Sequence, residues 1–101
     1  MDFSQHALNM LSEHLGQPIR LDDTGYESYI FEAEELDRTI IPANYQSYLA
    51  KHLDIMSHSY IYEELIVFVL YPLTDSSSKQ TFIGLLHEDK LLNYRIITGG
   101  I

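Results

Sequence analysis

Leu65-Ile66-Val67-Phe68-Val69-Leu70-Tyr71 is an unbroken run of aliphatic and aromatic side chains, rich in β-branched residues. Branching at Cβ and aromatic bulk favour the extended chain, and no polar residue alternates along the run. A half-exposed strand would alternate, so this one is expected to be buried on both faces, inside a sheet. Pro72 has no N–H to give to a ladder and ends it. Asp75-Ser76-Ser77-Ser78-Lys79 then reads as a loop. Beyond it, Thr81 to Leu86 and Leu91 to Ile97 flank Glu88-Asp89-Lys90, the pattern of a hairpin.

Upstream of the run the period changes. Tyr45, Tyr48, Leu49, His52, Leu53 and Met56 recur at i, i+3, i+4, i+7, i+8 and i+11, one face of a helix introduced by Pro42 and interrupted by Ser57-His58-Ser59. Tyr60 to Glu64 fits either a lengthened strand or part of a helix. Nearer the N-terminus, Ile19 and Leu21 read as a short strand, Asp22-Asp23-Thr24-Gly25 as a turn, and Tyr26 to Glu32 as a second strand completing a hairpin. Leu8, Leu11 and Leu15 draw the stripe of a first helix. Asp2 with Gln5 resembles a capping box, and Gly16 with Pro18 closes that helix. The whole reads as one domain, 1–101, of α+β class: a mainly antiparallel sheet of about five strands with two helices, in the order α-β-β-α-β-β-β, the helices covering one face.

Composition narrows the function. A chain of 101 residues can build one core, and 46% apolar residues with 21% charged is ordinary globular composition. Fifteen Asp and Glu against six Lys and Arg give a formal net charge of −9, which repels phosphate backbones and argues against direct nucleic-acid binding. There are no cysteines, so disulfides, thiolate catalysis and Cys-based zinc sites are excluded. Residues 1–6 lack the pattern of a signal peptide, and the longest apolar run falls far short of the roughly 20 residues a membrane helix needs. The expectation is a cytoplasmic protein without membrane contact.

No catalytic motif stands out. His6 and His14, and separately His52, Asp54 and His58, lack the i, i+4 spacing that aims two imidazoles at one ion, so no metal or cofactor is expected. Ser57-His58-Ser59 sets a nucleophile beside a histidine, but neighbours on a strand point to opposite faces. Paired carboxylates are numerous among fifteen acids, and nothing singles out two of them. The chain is therefore read as non-enzymatic, with a small hydrolase or metal-dependent enzyme as the residual alternative.

What does stand out is acidic. Between Asp22 and Asp37 lie seven carboxylates and no basic residue, threaded with Tyr26, Tyr29, Ile30 and Phe31. Alternation puts Glu27, Tyr29 and Phe31 on one face of the strand and Tyr26, Ser28 and Ile30 on the other. A buried Glu27 would need a cation that the chain can scarcely supply. Tyr26, Ser28 and Ile30 are accordingly expected to face the core. Glu27, Tyr29, Phe31, Glu32, Glu34 and Glu35 are expected to form a partner- or dimer-facing surface. The partner would be another protein with a basic or apolar complementary surface, or a second copy. An acidic inhibitor, such as an immunity protein for a basic toxin or a nucleic-acid mimic, is the alternative.

The stretch Leu11-Ser12-Glu13-His14-Leu15-Gly16-Gln17-Pro18-Ile19-Arg20-Leu21-Asp22-Asp23-Thr24-Gly25, followed by Tyr26-Glu27-Ser28-Tyr29-Ile30-Phe31-Glu32, resembles the opening of class I type III secretion chaperones. Phe82-Ile83-Gly84-Leu85-Leu86-His87-Glu88-Asp89-Lys90 is similar to their later hairpin. The resemblance covers about a third of the chain and consists of residue types rather than a chemical signature. It implies a small, acidic, non-enzymatic homodimer that holds an extended segment of a secreted protein along apolar grooves. The family places a third strand directly after the second and ends in a helix. Here residues 43–56 read as helix and the chain ends in a strand.

Overall fold

The computed structural model describes residues 3–36, 38–51, 54–73 and 80–98. Its elements are α1 (Ser4–Leu15), β1 (Gly25–Glu32), α2 (Ala43–Leu49), β2 (Asp54–Tyr62), β3 (Leu65–Pro72), β4 (Gln80–His87) and β5 (Lys90–Thr98), with 3-10 turns at Leu21–Asp23, Ala33–Glu35 and Arg38–Ile40. The five strands form one antiparallel sheet in the order β1-β2-β3-β4-β5. The α+β class, the two helices and the five strands are as the sequence predicts.

β3 is the central strand, buried along nearly its whole length. Its two faces feed two cores. Leu65, Val67 and Val69, with Ile83 and Leu85 of β4, pack under α1 through Phe3, Ala7, Met10 and Leu11. On the reverse, Phe68 and Leu70, with Phe82 of β4 and Ile55 of β2, pack under Ile41 and the α2 residues Tyr45 and Leu49. The helices thus lie on opposite faces, which corrects the expectation that both cover one. A strand apolar on both sides requires this, because either face left open would expose a row of side chains each worth about 1.5–3 kcal/mol on burial.

The first helix ends as expected at Gly16, whose φ of 70° is left-handed and whose N–H donates to the Ser12 carbonyl at 2.9 Å. Its buried stripe is shifted, however: Ala7, Met10 and Leu11 are buried, Leu8 is half-buried and Leu15 is exposed. Asp2 lies outside the described residues; the N-cap is Phe3, with no side-chain cap, and Gln5 instead donates to Asn9 Oδ1 at 2.9 Å.

Two further corrections decide where the site lies. Ile19 to Leu21 does not form a strand, since residues 21–23 make a 3-10 turn. The strand that pairs with Gly25–Glu32 is β2, in continuous register from Gly25↔Ile61 to Glu32↔Asp54. Correspondingly, the second helix stops at Leu49, and Met56, expected to close its apolar stripe, is in β2. His52 and Leu53 lie outside the described residues, as do the Asp75 to Lys79 loop and Asp37. In β2, Ile55, Ser57, Ser59 and Ile61 face α2, while Met56, His58, Tyr60 and Tyr62 face α1; Tyr60 to Tyr62 is therefore strand. The polar centre of β2 is satisfied from its neighbours: His58 Nδ1 meets the Tyr26 hydroxyl at 2.6 Å and Nε2 meets that of Tyr71 at 2.9 Å. Both phenols come from elsewhere in the sequence, so nothing local announces this strand.

The β4–β5 hairpin is as expected. Its turn residues Glu88 and Asp89 have φ of 51° and 64°, the left-handed pair that a tight turn needs to follow the strand twist. No helix among the described residues is long and apolar enough to cross a membrane.

Candidate functional site

β1 is an edge strand. Seven of its eight residues are exposed and Phe31 is half-buried. Tyr26, Tyr29 and Ile30 keep 53%, 51% and 60% of their surface in solvent, a large apolar area for three residues of one strand. The expectation that Tyr26, Ser28 and Ile30 face the core is overturned. α1 packs on β3 and β4 and leaves this end of its own face uncovered. Tyr26 is held against the sheet by its hydroxyl contact to His58 and by stacking on that ring, with centroids 5.9 Å apart.

The two edges of the sheet differ in kind. β5 carries Lys90 and Arg95, and a register irregularity at Leu85/Leu86 disturbs its ladder with β4. Charge and bulge are the usual means of stopping an edge from recruiting another chain. β1 carries acidic charge instead, at Glu27 and Glu32, has no proline, and its ladder with β2 is unbroken. No described strand pairs with its outer side, and its apolar side chains are accessible.

On the α2 face, β1 borders a groove of about 350 Å³ lined by Phe31, Leu36, Ile40, Ile66, Phe68 and Leu86, among others. Ser57 and Ser59 make the depression, because they stand between larger side chains, opposite Tyr29 and Glu27 in register. α2 is only seven residues long and covers the Leu70 and Phe82 end of this face, leaving the Ile66 and Leu86 end half-exposed. Of the residues expected at the surface, Phe31 and Glu35 line the groove. Tyr29 packs on Phe31 with centroids 5.9 Å apart, and its hydroxyl donates to Glu27 Oε2 at 3.3 Å. Glu32 and Glu34 lie at the strand's end, Glu32 on the opposite face from Phe31. Leu36, Ile40, Ile66 and Leu86 were not foreseen as site residues; the available signal was Ser-x-Ser within a strand-forming context, small residues on one face.

The carboxylates crowd one another. The Glu35 carboxylate accepts the Glu32 N–H at 2.9 Å, which anchors the 3-10 turn. The Glu32 carboxyl is raised above its ordinary range, first by its hydrogen bond to Glu34, then by the charges of Glu35 and Glu34, with slight burial and Asp54 adding. A carboxyl raised in the folded state binds its proton more tightly there than in the unfolded chain, so stability falls as pH climbs through the window above 4.5. Glu32→Gln keeps an acceptor and removes the charge. Its melting temperature is expected to exceed that of the parent modestly at pH 7, with the difference vanishing below pH 4. Paired thermal melts at the two pH values check this.

Around Ser57, His58 and Asp54 the described residues bring no acid and histidine, or nucleophile and histidine, together. Ser57 and Ser59 face the groove while His58 faces the other way, between two phenols. Asp54 and His58 share a face but are four residues apart on an extended strand, about 13 Å. His52 lies outside the described residues. No protein family, no curated protein and no solved structure matches this chain.

Proposed function

We propose that the chain is a non-catalytic protein-binding module that holds a segment of a cognate protein along β1 and the adjoining groove. The observation that carries this reading is the regular, exposed edge: an eight-residue strand with Tyr26, Tyr29 and Ile30 more than half exposed, beside an apolar groove. An extended partner segment can add to such an edge through its backbone and place alternate side chains on the flanking surface. Glu27, Glu32, Glu34 and Glu35 favour a partner with lysine or arginine flanking its apolar residues. They disfavour a β1-to-β1 homodimer, in which Glu27 and Glu32 would face like charges. A cytoplasmic, secretion-chaperone-like protein that keeps a partner extended is the concrete form of this reading.

The test uses defined peptides: an extended sequence alternating Val or Leu with Lys, and its Glu-for-Lys counterpart. Both peptides are expected to shift amide resonances of β1 and the groove, the cationic one at lower concentration than the anionic one. Tyr29→Ala should weaken binding about tenfold, the cost of losing an interface tyrosine, while changing stability by no more than about 0.5 kcal/mol. A large loss of melting temperature in that variant, or shifts elsewhere, would sink the proposal.

An acidic inhibitor of a basic protein is the second reading, and the crowded carboxylates around Glu32 support it. Salt separates the two. Binding led by charge should weaken steeply as the screening length falls from about 30 Å at 0.01 M to about 8 Å at 0.15 M, whereas binding led by the groove and strand edge should change little.

A further inference from the structure

At the opposite end of the sheet from Glu32, the β2–β3 and β4–β5 turns meet. Leu65 pairs with His87 in the ladder, which brings Glu64 beside the imidazole and Glu88 next to both. One ligand atom from each of Glu64, His87 and Glu88 lies within 4.8 Å of the others. Glu64 Oε2 stands 3.3 Å from His87 Nε2. Two ligands held at about 2.0–2.1 Å on a tetrahedral ion are separated by roughly 3.3 Å, so this pair already has the spacing of a tetrahedral edge. Glu88 is exposed on a turn, so its side chain is free of packing that would prevent the rotation needed to close the remaining distance.

We propose that Glu64, His87 and Glu88 bind a divalent transition-metal ion of the Zn2+ kind, which cross-links the two turns. The donor set decides the metal. An imidazole nitrogen with two carboxylates suits Zn2+ and its neighbours, whereas Ca2+ takes six to eight oxygens and Mg2+ an octahedron of them. Within the two turns, Glu63, Glu64, Glu88 and Asp89 face Lys90 as the only cation, so a bound ion would offset uncompensated charge. A concavity of about 510 Å³ adjoins the cluster and is lined also by His14 and Glu63, leaving room for water or a further ligand at the open positions. The plain alternative is that His87 and Glu64 form only a surface hydrogen bond.

The experiment titrates the full chain with ZnCl2, following the histidine ring resonances by NMR and the heat by calorimetry, with CaCl2 and MgCl2 in parallel. One Zn2+ per chain is expected, with the His87 ring moving and the His58 ring unmoved. His87→Ala should weaken the affinity by at least about tenfold, the size already found for outer-shell partners of a metal. Glu64→Gln, exposed and isosteric, should weaken it without disturbing the fold. An unmoved His87 ring, undiminished binding in His87→Ala, or Ca2+ binding as tight as Zn2+ would each overturn the proposal.

Discussion

Tyr45→Ala is expected to remove about 3–5 kcal/mol of stability, the range for emptying a buried aromatic position. Tyr45 is 1% exposed and its ring lies 5.2 Å from Phe82 and 5.4 Å from Tyr48. Its hydroxyl donates toward the carbonyl oxygens of Leu70 at 2.9 Å and Gln80 at 2.7 Å, at the end of β3 and the start of β4. Tyr48 adds a second tie by accepting the Gln80 N–H at 2.9 Å. Burial, with Tyr48 beside it, pushes the Tyr45 phenol above its ordinary range, which keeps it a neutral donor at neutral pH. A helix of seven residues has no stability of its own and depends on such anchors. Total stabilities of about 5–15 kcal/mol leave little after this loss. Tyr45→Phe keeps the ring and forfeits the hydroxyl contacts, at about 1–3 kcal/mol. Urea unfolding of both variants measures the difference; a loss below about 1 kcal/mol for Tyr45→Ala would mean that α2 does not dock as described.

Gly84→Val should be nearly as damaging, and for the opposite reason. Gly84 sits opposite Phe68 and Tyr94 on the two neighbouring strands. A Cβ there would lie 2.7 Å from Phe82 Cε1 and 2.8 Å from Phe68 Cε1, closer than carbon atoms pack. The Phe82 ring cannot retreat easily. Phe82 is fully buried, and its centroid lies 5.3 Å from that of Phe68 and 5.4 Å from that of Tyr94, with Tyr45 on a further side. Elsewhere in a strand, replacing glycine by alanine gains roughly 0.5–1 kcal/mol from lost chain entropy. Here overpacking of about 1–3 kcal/mol reverses the sign for alanine, and valine adds two more carbons. Phe68→Leu combined with Gly84→Ala frees the space and is expected to recover part of the loss. Additive losses in that double variant would contradict the packing account.

Much of this architecture was legible where local chemistry and burial agree. The Leu65 to Tyr71 run, the hairpin around Glu88 and Asp89 and the Gly16 cap each rest on interactions within a few residues or on an apolar pattern without ambiguity. β2 was hidden because its middle, Ser57-His58-Ser59, is polar, and its polarity is tolerable only when Tyr26 and Tyr71 flank His58. The helical period that includes Met56 misassigned that residue, which lies in β2. The acidic, aromatic character of β1 could be read directly, and Glu27, Tyr29 and Phe31 do share a face. That Ile30 and Tyr26 are exposed as well could not be read, since alternation assumes that one face is covered.

By itself, then, the sequence determined the class: an apolar strand without alternation demands a place inside a sheet, and net charge with the absence of cysteine narrows the chemistry. Only the tertiary structure decided that β1 pairs with β2, from Gly25 opposite Ile61 to Glu32 opposite Asp54, and so becomes an edge. It also decided that the groove opens over two serines, and that Glu64 and His87, 23 residues apart, stand 3.3 Å from each other. The physical reason is common to all three. Pairing across a sheet is chosen by the sum of packing over every strand, and no window of neighbouring residues contains that sum.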